Sequence, residues 1–228
     1  MKTIDKVGGG VKMTNLVPAK DLWVDPDYFR DKMCMVLSAD IAIIDMLNES
    51  GISYHIHMNT PITDDMIASI DFVLLTGGTD ISPAIYHQER GDHTDTPDTD
   101  RDFLEVSLIK KCLVLGVPVI GICRGAQLLS SVLGGRLIQH DTDGYHMGSH
   151  DLHLSNGFTL ENCYANHHQL IIPPSDSKVI AKHKDVNEII YHPGAGLSVQ
   201  YHPEWHMSHD RQFKYFFRLI HDLLEGVL

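Results

Sequence analysis

Cys123 lies in the run Gly121-Ile122-Cys123-Arg124-Gly125. A thiol can attack a carbonyl when it is presented at a sharp turn and held as an anion, and the flanking residues offer both conditions. Residues 117–122 are apolar and largely β-branched, as in a strand buried on both faces. Residues 126–133 carry apolar side chains at helical spacing and stop at Gly134 and Gly135. A strand, a one-residue corner and a helix make a nucleophile elbow. The corner backbone is strained, so its neighbours must be small, which Gly121 and Gly125 satisfy. At such a corner Cys123 meets the free N–H groups of a helix N-terminus, which favour a thiolate. The backbone N–H of the next residue can help to hold an oxyanion. On its own a G-x-C-x-G run equally fits a buried cysteine in an ordinary turn; residues far downstream decide between the two.

A thiolate that attacks an amide needs a group to move protons to and from it. Histidine, with a reference pKa of about 6.5, is the usual choice, and a carboxylate fixes its tautomer. His202 and Glu204 stand two apart at the end of the apolar run 197–201. That spacing puts both side chains on one face, and Pro203 between them ends strand pairing. The pair follows a buried strand and precedes a helix, as an active-site loop does.

The elements that must position these groups are legible in outline. The chain has 228 residues and 43% hydrophobic content, enough for one α/β domain over 1–228 with a sizeable core. Its formal charge is −12 and it has no Lys/Arg run, so neither a nucleic-acid surface nor attraction to anionic membrane is expected. The four cysteines, Cys34, Cys112, Cys123 and Cys163, read as thiols of a reducing compartment. No apolar segment marks the N-terminus as a secretion signal, and no run approaches the ~20 residues of a membrane helix. A cytoplasmic protein is expected.

Before the elbow, residues 8–10 suggest a turn and 13–17 a first strand. Residues 33–37 fit a strand or part of a helix. Residues 39–48 fit a helix closed by Gly51, and 53–58 a strand. Thr63 can cap a short helix over 64–69. Residues 71–76 form a short buried strand that runs into Gly77-Gly78, at the edge where open α/β sheets bind ligands. The loop 81–98 leads into a helix over 100–115, with Phe103, Leu104, Val106, Leu108, Ile109 and Cys112 as its apolar face. After the elbow come short strands over 136–138, 150–154, 157–160, 178–182 and 188–191. A strand over 197–201 and a helix over 209–224 close the chain. This order predicts a mostly parallel, doubly wound, flavodoxin-like sheet with helices on both faces and a small antiparallel addition.

Sixteen histidines are unusual, but no HExxH or CxxC pattern accompanies them and no metal site is expected. The densest group is His140, His146, His150 and His153. Asp92, Asp95, Asp98, Asp100 and Asp102 either favour a cationic leaving amine or form a solvated acidic loop.

The segments GICRGAQLL, ANHHQ, SVQYHPEW, GGTDISPAIY and TDRDFLE, in the family's order, resemble class I glutamine amidotransferase-like domains. They are most similar to the stand-alone γ-glutamyl hydrolases of that superfamily, such as γ-glutamyl-γ-aminobutyrate hydrolases. The resemblance covers residues 71–204. It implies Cys123 as nucleophile, His202 as general base and Glu204 as its orienting acid. It implies an oxyanion hole from the backbone of Gly78 and Arg124, and glutamyl contacts from Gln127, His167, His168 and Gln169. The chain departs from the family at Ala165-Asn166, where a Ser or Asn-Ser pair is common, and at Tyr201, where Phe or Trp is common. The activity implied is hydrolysis of a small γ-glutamyl amide through a thioester, with no cofactor. The alternative is a glutaminase subunit supplying ammonia to a separate synthetase. A binding protein that keeps the fold without catalysis is a third reading. A synthetase partner or a homo-oligomer are the associations left open.

Overall fold

A computed structural model describes residues 22, 24–57, 61–142 and 146–228. The turn and first strand expected before residue 20 lie outside this range. The frame is set by strands whose residues are apolar on both faces. They are β1 (Met33–Leu37), β3 (Phe72–Leu75) and β4 (Val119–Ile122), with β2 (Ser53–His57) at the edge. Along β1, Cys34 and Val36 join one core with Phe72, Leu74, Ile120 and Ile122. Met35 and Leu37 join the opposite core with Val73, Leu75 and Val119. Two buried faces require helices on both sides. The first core is covered by α1 (Ile41–Ser50) and α5 (Arg211–Leu224), which supply Ile43, Met46, Phe213 and Phe216. The second is covered by α2 (Asp64–Ala68), α3 (Thr99–Leu115) and α4 (Arg124–Val132), which supply Ile67, Leu108, Ile109 and Leu129.

The remaining strands are β5 (Arg136–Ile138), β6 (Met147–Leu154), β7 (Thr159–Asn166), β8 (Leu170–Ile172), β9 (Lys178–His183), β10 (Val186–His192) and β11 (Gly196–Val199). The main sheet has nine strands in the order β2-β1-β3-β4-β11-β10-β9-β6-β7. The first five run parallel, and the rest continue the same sheet antiparallel. The doubly wound expectation holds, but the antiparallel part is no small patch, since β6 and β7 span eight residues each. β5 pairs with β8 in a separate two-stranded ribbon. The sequence reading has no strand at 170–172, because three residues are too few to establish a period-two pattern.

Local signals hold at the helix ends. Asp40 and Thr63 accept the N–H of Ile43 and Met66 at 3.0 and 3.3 Å. Gly51 closes α1 with φ 80°, a conformation that costs glycine nothing. One expectation fails on α3. Phe103 is 77% exposed, whereas Asp102 and Glu105 are buried on the inner face with Leu108, Ile109 and Cys112. The helix turns its acidic residues inward because a buried arginine, Arg124, waits there. No helix among the described residues is long and apolar enough to cross a membrane.

Candidate active site

The elbow forms as its glycines require. Cys123 lies between β4 and α4 with φ 49° and ψ −106°, a strained region for a non-glycine residue. Its N–H donates to the Val199 carbonyl at 2.8 Å, and its carbonyl accepts from Gln127 N at 3.1 Å. A Cβ on Gly121 would stand 2.3 Å from the Gly125 backbone, and one on Gly125 would stand 2.4 Å from the Leu75 carbonyl oxygen. Strand and helix therefore cross at a distance only glycine allows.

The turn after β3 faces Cys123 across a cavity of about 350 Å³. The point where a Gly77 Cβ would stand is 3.3 Å from His202 Cε1 and 3.9 Å from Cys123 Cβ. The imidazole and the thiol-bearing carbon thus flank one position, although almost eighty residues separate them in sequence. His202 is held by its N–H, which donates to the Tyr164 carbonyl at 2.8 Å. Its Nδ1 lies 2.6 Å from Glu204 Oε1, whose side chain is buried. Burial by itself would lower the His202 pKa. Interaction with the Cys123 sulfur and with the Glu204 carboxylate outweighs burial and raises it to about 10. The Cys123 sulfur itself lies 3.8 Å from the Asn166 carbonyl oxygen.

Gly78 and Gln127 line the same cavity as Cys123. Arg124 follows Cys123 at the start of α4 but is not among the residues lining the cavity. Its side chain is fully buried beneath the elbow, paired with Glu105 and, at 2.5 Å, with Asp102. The Gly77-Gly78 turn is pinned by Arg101, a residue the sequence reading did not single out. Its guanidinium donates to the carbonyls of Gly77 at 3.0 Å and Thr76 at 3.2 Å, and to Glu105 at 2.8 Å. The available signal was Asp102 and Glu105, spaced i, i+3 in register with Ile109 and Cys112 on the face that is buried.

The remaining substrate candidates separate. His168 lines the cavity with Nε2 3.2 Å from Asp80 Oδ2, and Asp80 also accepts the Asp95 N–H at 2.8 Å. His167 lines the cavity but turns its ring inward, where Nε2 lies 3.5 Å from Glu188. Gln169 is fully buried and stands outside the lining. The acidic stretch also divides. Asp95 reaches the cavity, Asp98 caps α3 by accepting Arg101 N at 3.0 Å, and Asp102 pairs with Arg124. Of the four clustered histidines, His140 sits against His93 and His168, and His153 meets Thr159 on the exposed face of β6. Only His146 and His150 come together.

The sequence profile of the Peptidase C26 family matches residues 36–204, most of the chain and every element just described around Cys123. The chain belongs to the Peptidase C26 family. Its class I glutamine amidotransferase-like relatives include Rv2859c of Mycobacterium tuberculosis, which carries a provisional glutamine amidotransferase name. The two are 35% identical over 173 residues, covering 65% of this chain and 55% of that one. PuuD of Escherichia coli K12, a γ-glutamyl-γ-aminobutyrate hydrolase, is 28% identical over 179 residues, covering 64% of this chain and 68% of its own. The Peptidase C26 chain thus spans about half the length of the first relative and about two thirds of the second. A solved structure from Thermoplasma acidophilum, provisionally part of a GMP synthase, superposes with a TM-score of 0.63. It is 19% identical, covering 86% of this chain and 95% of that one. At that identity the likeness is one of fold. Peptidase C26 is a family of enzymes, and hydrolases and glutamine amidotransferases are both among this chain's relatives.

Proposed function

We propose that the protein is a cysteine-dependent hydrolase of γ-glutamyl amide C–N bonds, with Cys123, His202 and Glu204 as its catalytic set. The observation that carries this reading is the placement of the His202 ring and the Cys123 Cβ around one point above Gly77, with Glu204 on the far nitrogen of the ring. A raised His202 pKa favours an imidazolium beside a thiolate, the resting form such chemistry needs.

In the proposed reaction the Cys123 thiolate attacks the γ-carbonyl carbon. The N–H groups of Gly78 and Arg124 hold the tetrahedral oxyanion. The C–N bond breaks as His202 gives its proton to the leaving amine, and a γ-glutamyl thioester remains. His202, now neutral, takes a proton from water. The hydroxide breaks the thioester, glutamate leaves and the thiolate and imidazolium return. No cofactor enters these steps. Gln127 and His168 hold the glutamyl end, and Asp80 and Asp95 also line the cavity. Replacing Cys123 by Ala removes the only attacking atom. Glutamate release from a panel of γ-glutamyl amides should then vanish while the circular dichroism spectrum stays native. Undiminished release by C123A would reject the mechanism.

The second reading, a glutaminase subunit that passes ammonia to a synthetase, draws on the exposed Trp205 and Met207, next to Glu204. Such apolar surface beside a site suits a docking partner. A chain that releases glutamate from glutamine only slowly alone, and faster with a synthetase, would favour it. We take the protein as cytoplasmic and residues 1–228 as one domain.

A further inference from the structure

Beside the cleft lies a second chemical cluster that the proposed reaction does not use. Glu188, on β10, is fully buried. One of its oxygens, Oε1, is surrounded by imidazoles. His150 Nε2 stands 3.3 Å away, His167 Nε2 3.5 Å and His146 Nδ1 3.7 Å. All three are longer than an ordinary N–H···O contact. Among the described residues, both Glu188 oxygens, both His150 ring nitrogens and His146 Nδ1 are buried without a well-formed hydrogen bond. Loose ion pairs of this kind leave buried polar atoms only partly satisfied, which is costly in a folded chain unless something joins them.

The distances say what fits. In a tetrahedral zinc site with bonds near 2.0–2.1 Å, neighbouring ligand atoms stand about 3.3 Å apart. One ligand atom from each of His146, His150 and Glu188 lies within 4.8 Å of the other two. Neutral imidazole nitrogens and a carboxylate oxygen, with no sulfur, form a borderline-hard donor set suited to zinc and its divalent neighbours. The outer contacts also fit. His146 turns its other nitrogen, Nε2, to Asp141 Oδ2 at 3.3 Å, the carboxylate–histidine arrangement that orients metal ligands. His146 immediately precedes β6 and is buried, and His150 points inward from β6, whereas His153 falls on the exposed face of that strand.

We propose that His146, His150 and Glu188 bind one zinc ion, with Asp141 orienting His146 and His167 steadying the carboxylate. The ion ties the start of β6 to β10. Because the His146 carbonyl accepts the His167 N–H at 3.0 Å, it also anchors the wall that carries His167 and His168 into the cavity. Three protein ligands leave the fourth tetrahedral position to water, and the site is independent of the hydrolase reading.

The test uses the untagged full chain with Cys123→Ser, so that the elbow thiol cannot bind metal, stripped with a chelator and titrated with zinc chloride by calorimetry. One equivalent should bind. The zinc absorption edge should report nitrogen and oxygen ligands, imidazole included, and no sulfur. His150→Gln and Glu188→Gln should weaken binding by about 100-fold or more, and Asp141→Asn by about tenfold or more. His140→Gln and His153→Gln should leave it unchanged. Failure of the parent chain to take up stoichiometric zinc at micromolar concentration would overturn the proposal. So would full retention by Glu188→Gln, or an edge without imidazole scattering. The parent titration and its edge decide even if a ligand variant does not fold.

Discussion

Glu204→Gln isolates what the carboxylate does for His202. The side chain keeps its size and loses its charge, 2.6 Å from Nδ1. A buried hydrogen bond to a charged group is worth about 1.5–3 kcal/mol. At about 1.4 kcal/mol per tenfold, kcat/KM should fall roughly 10- to 150-fold. The pH profile carries a second, sharper signature. The folded His202 pKa of about 10 lies above the usual 6.5. A raised pKa means the charged pair contributes stability fully below about pH 6.5 and loses it as pH rises through about 10. The alkaline limb of activity should follow the same group, because in the proposed reaction the imidazolium is the proton donor to the leaving amine. Removing one of its two anionic partners lets burial count for more, so the limb should move to lower pH. The assay is kcat/KM for glutamate release from pH 5 to 11, with thermal melting in the same buffers. An alkaline limb that stays put in E204Q, or a loss smaller than about threefold, would refute the assignment of Glu204.

Arg101→Lys keeps a charge but loses the fork that pins Gly77-Gly78, so kcat should fall about 10- to 100-fold with little change in KM; steady-state kinetics separate the two. Arg124→Met removes the cation paired with buried Asp102 and leaves Glu105 only Arg101, and should cost about 3–5 kcal/mol in urea unfolding. Adding Asp102→Asn and Glu105→Gln to it should recover part of that loss. Gly125→Ala pushes a methyl to 2.4 Å from a backbone oxygen and should destabilise the chain by about 1–3 kcal/mol or more, with activity lost in the folded fraction.

The central strands, the elbow and the helix caps were legible in the amino-acid order, because each rests on contacts within a few residues. Gly121 and Gly125 announce a close crossing, Thr63 announces a helix start and Gly51 a helix end, and an unbroken apolar run announces a strand buried on both sides. The inner face of α3 was misread for the opposite reason. Phe103 is the stronger hydrophobe, but Asp102 and Glu105 are drawn inward by Arg124, about twenty residues away, and nothing local records that pull. The same holds for Arg101, whose partners are backbone carbonyls twenty-four and twenty-five residues upstream.

By itself, the order of residues determined which groups are the candidates for chemistry: a thiol at a glycine-flanked corner and a histidine two residues from a glutamate. Only the tertiary structure decided where they meet. Parallel pairing of β11 with β4 brings Val199 beside Ile122, and so delivers the loop carrying His202 and Glu204 to the corner held by Cys123. That folding also carried His167 inward to Glu188 and parted His146 and His150 from His140 and His153. Strand alternation and sheet order act on residues far apart in the chain, which is why proximity in sequence could not foretell them.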